Sequence, residues 1–240
     1  MRLFPTLPLA LLMATLSACG GGGGSSAPAP TPTPSPAPAP APAPSPTTAA
    51  PNPVPNAPTT SCSVAGTAAA TASTASNVVC MLTSDGEVVV ELYADKAPAT
   101  VANYMKYVDD GFYSSTIFHR VVLNFVVQGG GFSSGLVTKT PTYAPIVLET
   151  NRGLSNLKNT IAMARTNDPN SATSQFYFNT VDNVGLDYAN AANPGYAVFG
   201  KVISGADTIT KINAEPQLTA PTVPDTPATE VLLYWAKRIK

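Results

Sequence analysis

Residues 20–60 restrict most strongly what this chain can fold into. The stretch begins with five glycines, and proline then stands at every second position from Pro28 to Pro46. Glycine gives a flexible coil and alternating proline favours an extended polyproline II chain, so neither part can bury a core. We interpret residues 19–60 as a disordered tether, which leaves a C-terminal part of ordinary single-domain size.

The residues before the tether have the outline of an export signal. Arg2 precedes an apolar run from Leu3 to Leu16, and the ending Leu-Ser-Ala-Cys resembles the lipobox of bacterial lipoproteins. Residues 1–18 would then be a lipoprotein signal peptide, and Cys19 would carry a lipid that anchors the chain to a membrane. The alternative is an ordinary signal peptide cut nearby, with Cys19 incidental. Either way we predict an exported protein, periplasmic or anchored to the outer membrane.

The cysteine and histidine content and the net charge limit the kinds of site and partner that this chain can have. Cys62 and Cys80 form an even pair in an exported chain, which favours one disulfide that fastens a lead-in segment, residues 61–77, to the first strand; two free thiols are the alternative. His119 is the sole histidine, so a zinc site or a histidine-dependent triad is not expected, and we predict no metal or other cofactor. The net charge is −1 without a basic block, so we predict no nucleic-acid partner.

The residue pattern of the rest of the chain predicts strands and two helices. Pro98 opens a helix whose apolar residues recur at helical spacing, and residues 206–212 form a shorter one. Six segments are β-branched or aromatic enough to be strands, and the stretch from Phe118 to Phe132 adds two more: residues 78–83, 87–93, 160–165, 175–178, 197–202 and 231–236. About eight strands favour a barrel or a sandwich, and the pattern alone does not choose between them.

Several blocks in this order resemble one family. They are FHRVV from Phe118, FVVQGGGF from Phe125, IAMART from Ile161, SQF from Ser174 and GYAVFGKV from Gly195. The series resembles the cyclophilin-type peptidyl-prolyl cis-trans isomerases, and most of all their bacterial periplasmic branch. The resemblance covers residues 78–240. It implies a mainly β domain, a closed eight-stranded antiparallel β-barrel capped by two α-helices. A monomer is expected, with proline-containing peptides and unfolded exported proteins as its partners.

The same resemblance implies roles for individual residues. Arg120 would be the catalytic arginine, and Gln128 would orient both that arginine and the peptide. The substrate-binding residues would be Phe125, Val126, Ala164, Arg165, Tyr177, Leu186 and Tyr196. Such a reaction needs no covalent intermediate, because a donor aimed at the proline nitrogen stabilises the twisted amide more than either planar form.

Two positions depart from the family pattern. Gly185 stands before Leu186, where members have an aromatic residue, so one wall of the pocket is missing. Tyr177 replaces a phenylalanine and adds a hydroxyl that must find a partner or water. The chain is therefore interpreted as an isomerase, with two alternatives left open: a proline-peptide-binding or chaperone module with weak turnover, and a surface interaction lipoprotein that uses the domain as a scaffold.

Overall fold

The computed structural model describes residues 55–219 and 221–240, a mainly β unit with three α-helices and one curled antiparallel sheet. The signal peptide, Cys19 and the tether up to residue 54 lie outside the described residues. Within the described part, no helix has the length and apolar character needed to cross a membrane.

The elements follow one another in an order close to the expected one. The strands are β1 (Asn77–Thr83), β2 (Gly86–Leu92), β3 (Thr116–Ile117), β4 (Arg120–Val122), β5 (Val126–Gly129), β6 (Phe132–Ser133), β7 (Val137–Thr138), β8 (Thr160–Met163), β9 (Phe176–Asn179), β10 (Val198–Ser204) and β11 (Leu232–Arg238). The α-helices are α1 (Val64–Ala72), α2 (Pro98–Asp109) and α3 (Ala206–Asn213).

All strand pairs are antiparallel, in the order β4-β5-β9-β8-β10-β2-β1-β11-β3-β6-β7. Side chains alternate between the two faces of a strand. One face, here the inner face, carries the main core, to which Val127 of β5, Phe178 of β9 and Ile161 of β8 belong. The intervening residues, such as Val126 and Tyr177, belong to a separate cluster on the outer face.

Both expected helices are present, and a third that was not expected lies in the lead-in segment, outside residues 78–240. The apolar residues of α2 and α3, such as Tyr104 and Ile209, pack into the inner core. Helix α1 packs instead on the outer face of β1 and β2, where Ala70 joins Val78 and Val89. Its Ala/Thr-rich sequence has no apolar stripe of its own, so helical periodicity could not reveal it.

The lead-in segment is fixed to the sheet at several points. A disulfide joins Cys62 to Cys80 of β1. The Ser63 side chain caps α1 by accepting from the Gly66 N–H at 3.0 Å, and the Glu87 carboxylate accepts from the Ser63 N–H at 2.7 Å. These contacts make α1 part of the folded unit.

Eleven strands stand in the described residues where eight were expected, partly because long strands are interrupted. Only two residues, Phe118 and His119, separate β3 from β4, and Gly130 and Gly131 separate β5 from β6. Gly130 has a φ of +84°, and a Cβ there would lie 2.8 Å from the Ser174 carbonyl oxygen, so only glycine fits this break. Closure into an eight-stranded barrel stays a prediction.

Candidate active site

A lateral row of paired residues crosses the outer face of the sheet. Arg120 of β4 lies opposite Gln128 of β5, Gln128 opposite Tyr177 of β9, and Tyr177 opposite Ala162 of β8. Residues directly opposite one another in an antiparallel ladder share a face. The row therefore brings the guanidinium, an amide and an aromatic ring to one surface, although up to 57 positions separate them along the chain.

An apolar cluster lies on the same face. Val126 and Tyr177 are its buried base, with 3% and 4% of their surface exposed. Around this base pack half-buried side chains: Val122, Phe125, Leu154, Ala164, Leu186 and Tyr196. The structure thus gathers six of the predicted substrate-binding residues, Phe125, Val126, Ala164, Tyr177, Leu186 and Tyr196, into one surface cluster. Such an arrangement can receive a small apolar ring.

The Tyr177 hydroxyl has a hydrogen-bond partner within the protein. It donates to Asn156 Oδ1 at 2.8 Å, and this asparagine is 1% exposed. Asn156 Oδ1 also accepts from Asn179 Nδ2 at 3.2 Å, and its own Nδ2 donates to Asp187 Oδ1 at 2.8 Å. Burial raises the pKa of Tyr177 well above its ordinary value, so the phenol stays neutral. The buried amide thereby fixes the base of the cluster.

Asp187 anchors this network from the loop after β9. Its carboxylate accepts from the Asn156 backbone N–H at 2.7 Å and from the Ser155 hydroxyl. Burial acts to raise the pKa of Asp187, but the hydrogen bonds from Ser155 and Asn156 outweigh it, so the pKa is lowered. The carboxylate is therefore an acceptor that holds the loop. Sequence reasoning missed Asn156, because nothing local marks an asparagine in a loop as the centre of a buried network.

The side chain of Arg165, as well as its backbone, lies beside the apolar cluster. Its Nε and Nη2 donate to the Gly195 carbonyl at 3.1 and 2.8 Å, and its guanidinium lies 4.4 Å from the centre of the Tyr196 ring. Tyr196 in turn meets Tyr177 edge-to-face, with ring centres 6.0 Å apart. Arg165 thus holds Tyr196 against the cluster through a cation–π contact.

The neighbourhood of Arg120 differs from the expected one. Its Nε donates to Asp225 Oδ2 at 3.1 Å, while the Gln128 amide donates to Gln175 Oε1 at 3.0 Å. Gln128 faces Arg120 across the ladder, but in the described residues the guanidinium has its side-chain hydrogen bond with Asp225. The orienting role of Gln128 stays a prediction. Asp225 lies 105 positions from Arg120 in a proline-rich loop, so no local signal could have identified it.

His119 points away from this surface. It is 4% exposed, and its ring lies 4.4 Å from that of Phe132. Burial, aided by the charge of Arg120, lowers the pKa of His119 to about 3, so the imidazole is neutral near pH 7. This environment suits a structural residue, as strand alternation indicates.

Comparisons with known proteins agree with these observations. The model of the family described as "Cyclophilin type peptidyl-prolyl cis-trans isomerase/CLD" matches residues 78–231. A peptidyl-prolyl cis-trans isomerase of Acinetobacter baylyi is 49% identical over 145 residues, covering 60% of this chain and 76% of that protein. Peptidyl-prolyl cis-trans isomerase A of Dickeya dadantii is 44% identical over 169 residues, 70% of this chain and 88% of that protein.

A solved structure supports the fold. The Cryptosporidium parvum cyclophilin-type isomerase, crystallised in the presence of the dipeptide Ala-Pro, has a TM-score of 0.57 at 23% identity and covers 67% of this chain and 97% of its own. The family match spans more than half of the chain and includes the row from Arg120 to Tyr177. The chain belongs to the cyclophilin-type peptidyl-prolyl cis-trans isomerases and is an enzyme of that class.

Proposed function

We propose that this enzyme accelerates Xaa-Pro isomerisation in exported proteins, with Arg120 as the donor to the proline nitrogen. The observation that carries the proposal is the shared outer face of Arg120, Gln128 and Tyr177 beside an apolar cluster. The cluster would receive the proline ring, and the guanidinium would meet the amide nitrogen at its edge.

The chemistry follows from the electronic structure of the amide. A planar peptide bond shares the nitrogen lone pair with the carbonyl, and for Xaa-Pro bonds the barrier to rotation is about 20 kcal/mol. When the bond twists, the lone pair returns to nitrogen, which then accepts a hydrogen bond. A charged donor fixed near that nitrogen stabilises the twisted state more than either planar state, and no proton is transferred.

The required energy exceeds what one hydrogen bond supplies. A hundred-thousandfold acceleration would need about 7 kcal/mol. A hydrogen bond to a charged group contributes about 1.5–3 kcal/mol. The remainder would come from holding the proline and its flanking backbone in the twisted geometry with water excluded, which is the role we assign to Phe125, Val126, Leu186 and the main chain at Ala164 and Arg165.

The test is cis-to-trans relaxation of a short Xaa-Pro peptide, followed by NMR exchange. We expect Arg120→Ala to lower kcat/KM about 100-fold, as removal of a transition-state donor does elsewhere. The matched control is Arg238→Ala, because Arg238 Nε also bonds an aspartate, Asp109, at 3.1 Å but belongs to none of the cluster's elements. Unchanged kcat/KM in Arg120→Ala would refute the mechanism.

Export and anchoring form a second part of the proposal. The apolar run after Arg2 and the lipobox-like ending at Cys19 support a lipid-anchored periplasmic or outer-membrane protein of the periplasmic branch. Residues 19–60 would hold the domain off the membrane. Mass spectrometry of the mature N-terminus is the test: an acylated Cys19 supports the anchor, and a free N-terminus at another residue contradicts it. Cys19→Ser should release the protein from membranes.

The eight-stranded closure belongs with this proposal. It is supported by the run of β3 into β4 and of β5 into β6, because these strands lie at the two ends of the hydrogen-bond order. Slow hydrogen exchange of the Phe118, His119 and Gly131 amides would support a continuous wall. Exchange as fast as in an open loop would contradict it.

One observation favours the alternative of peptide binding with weak turnover. Nothing lies within 4 Å of a Cβ built at Gly185, and its neighbour Val184 is 62% exposed. An open, apolar rim suits holding of unfolded chains. Peptide titration by NMR separates the two functions: the isomerase requires fast exchange between cis and trans peaks, whereas the binding module gives shifts without exchange.

A further inference from the structure

The guanidinium of Arg120 is held by a carboxylate from a distant loop. Arg120 Nε donates to Asp225 Oδ2 at 3.1 Å, and both side chains are about one third exposed, 33% and 32%. In the residues that the structure describes, the two terminal nitrogens of Arg120 have no hydrogen-bond acceptor. A bond at Nε therefore restrains the guanidinium while leaving both terminal amino groups for a substrate.

The Asp225 backbone is attached to the strand that carries Arg120. The N–H of Val121, the next residue in β4, donates to the Asp225 carbonyl at 2.8 Å. The Val121 carbonyl accepts from Gln217 Nε2 at 2.7 Å. These two bonds satisfy the outward backbone groups of Val121 at the edge of the sheet. They also set the Asp225 carboxylate beside Arg120.

The loop around Asp225 is built to hold this position. Leu218 N–H donates to the Thr226 carbonyl at 2.9 Å, and Thr226, 4% exposed, donates from its hydroxyl to the Val223 carbonyl at 2.7 Å. Asp225 itself has a φ of +60°, a left-handed conformation that aspartate, asparagine and glycine adopt more readily than other residues. Residue type and backbone conformation therefore agree at this site.

The residue expected to orient Arg120 is engaged elsewhere. Gln128 lies directly opposite Arg120, but its amide donates to Gln175 Oε1 at 3.0 Å. The Gln175 side chain also lies against Gly131, where a Cβ would come within 2.6 Å of it. The Gln128 amide is thus held by Gln175, the residue before β9, and the restraint on Arg120 comes from Asp225.

We propose that Asp225 is a positioning residue for Arg120, which restrains the guanidinium plane through Nε so that the terminal nitrogens are presented to the twisted Xaa-Pro bond. The inference rests on the proposed catalytic role of Arg120. A donor fixed before the reaction loses less freedom when it meets the transition state, so loss of Asp225 should lower kcat and leave KM nearly unchanged.

Two substitutions at the same position separate the side chain from the backbone. Asp225→Gly removes the carboxylate and tolerates the left-handed φ, and Asp225→Asn keeps an acceptor without the charge. We expect kcat to fall about fivefold in Asp225→Gly and about twofold in Asp225→Asn, the scale of a partly exposed ion pair. Asp109→Asn, which removes the partner of Arg238, is the matched control and should leave kcat unchanged.

Two further measurements separate positioning from structure. The Arg120 Nε–H signal in 15N NMR should exchange slowly with water in the wild type and fast in Asp225→Gly, with unchanged thermal unfolding as evidence of an intact loop. In an Arg120→Ala background, Asp225→Gly should have no additional effect on kcat.

The outcomes distinguish this inference from the proposed function. If Arg120→Ala is impaired while Asp225→Gly, folded as the wild type, retains full kcat, the positioning role is wrong and the arginine mechanism survives. If Arg120→Ala itself keeps full activity, the proposed mechanism fails first. Should Asp225→Gly unfold, an Asp225→Asn variant with wild-type kcat and an unchanged Nε–H signal would overturn the inference.

Discussion

The outer face of the sheet has two apolar regions, and the chain covers only one of them. On β1, β2 and β11 the outward residues Val78, Cys80, Val89 and Trp235 form a cluster that helix α1 covers and the disulfide fastens. On β5, β8 and β9 the outward residues form the cluster based on Val126 and Tyr177, which no α-helix of the described part covers. The same strand alternation thus produces an apolar surface covered by a helix in one place and an apolar surface without a covering α-helix in the other.

The difference between the two regions lies in their polar neighbours. The covered cluster is held by capping and backbone bonds, such as Trp235 Nε1 to the Thr59 carbonyl at 2.7 Å. The open cluster has a buried amide, Asn156, beneath it and a guanidinium, Arg120, at its edge. The open cluster thus combines an apolar surface with a guanidinium at its edge, which is the arrangement that the proposed mechanism requires.

Removing the fastening of α1 should have the largest effect on stability. The Cys62→Ser/Cys80→Ser double variant opens a loop closed across 18 positions, and we expect it to lose about 3 kcal/mol of unfolding free energy. Urea unfolding measures the loss. Isomerase activity should stay within about twofold of wild type, because the open region has its own supports.

The control for this variant is chemical reduction. Wild type in excess dithiothreitol should unfold like the double variant, and the double variant itself should not respond to the reductant. If kcat/KM also fell under conditions where the protein is still folded, the covered and open regions would be coupled. That result would contradict their independence.

Sequence reasoning recovered the parts of the fold that periodicity encodes. As strand alternation requires, Phe176 and Phe178 of β9 belong to the inner core and Tyr177 to the outer cluster. The Pro98 helix packs through apolar residues at helical spacing: Val101, Tyr104, Met105 and Val108. Sequence reasoning did not recover α1, whose burial depends on a disulfide and a surface that exist only after folding.

The open region was predictable only in part, for a similar reason. Arg120, Gln128 and the apolar residues lie in blocks whose order is readable along the chain. Asn156 and Asp225 act across 21 and 105 positions, as partners of Tyr177 and Arg120. Contacts of that separation depend on loop paths, which neither composition nor periodicity determines.

Removing the buried amide of Asn156, beneath the open cluster, should have the next largest effect on stability. Asn156→Ala leaves the Tyr177 hydroxyl buried without its partner, and we expect a loss of about 2 kcal/mol in unfolding free energy. The base of the cluster should also loosen, which would raise KM about threefold. Urea unfolding and peptide relaxation measure the two effects.

A second substitution tests the stated cause. Tyr177→Phe removes the hydroxyl that needs a partner, so Asn156→Ala should cost less in the Tyr177→Phe background than in the wild type. Asn193→Ala, an exposed asparagine, is the control and should change neither quantity. Full additivity of the two substitutions would contradict the importance of their hydrogen bond.

Acid should act on stability through His119, next to Arg120 but on the other side of the strand. Because burial lowers its pKa to about 3, the folded state binds its proton less readily than the unfolded chain does. The free energy of unfolding therefore keeps its full contribution from neutral, buried His119 above pH 6.5. That contribution is lost as pH falls towards 3, at about 1.4 kcal/mol per pH unit. Urea unfolding at pH 7.0, 6.0 and 5.0 measures the slope.

His119→Gln should reduce this slope, since glutamine does not titrate there, and should leave kcat/KM at pH 7 within about twofold of wild type. The pH profile of kcat/KM is the sharper observation. A titration in wild type that disappears in His119→Gln would make the histidine a participant in catalysis and would contradict the division between the two sides of the strand.

The smallest expected effect tests how open the uncovered region is. A Cβ at Gly185 meets nothing within 4 Å, and its φ is compatible with any side chain, so a phenylalanine can be added without strain. A ring there would bury about 40 Å² more of a bound peptide, roughly 1 kcal/mol, and lower KM about fivefold.

Gly185→Ala controls for backbone stiffening and should leave KM unchanged. Because the added wall binds planar and twisted peptide alike, kcat should not change. A rise in kcat would mean that the missing wall limits the chemistry itself, and an unchanged KM would place the peptide away from Leu186.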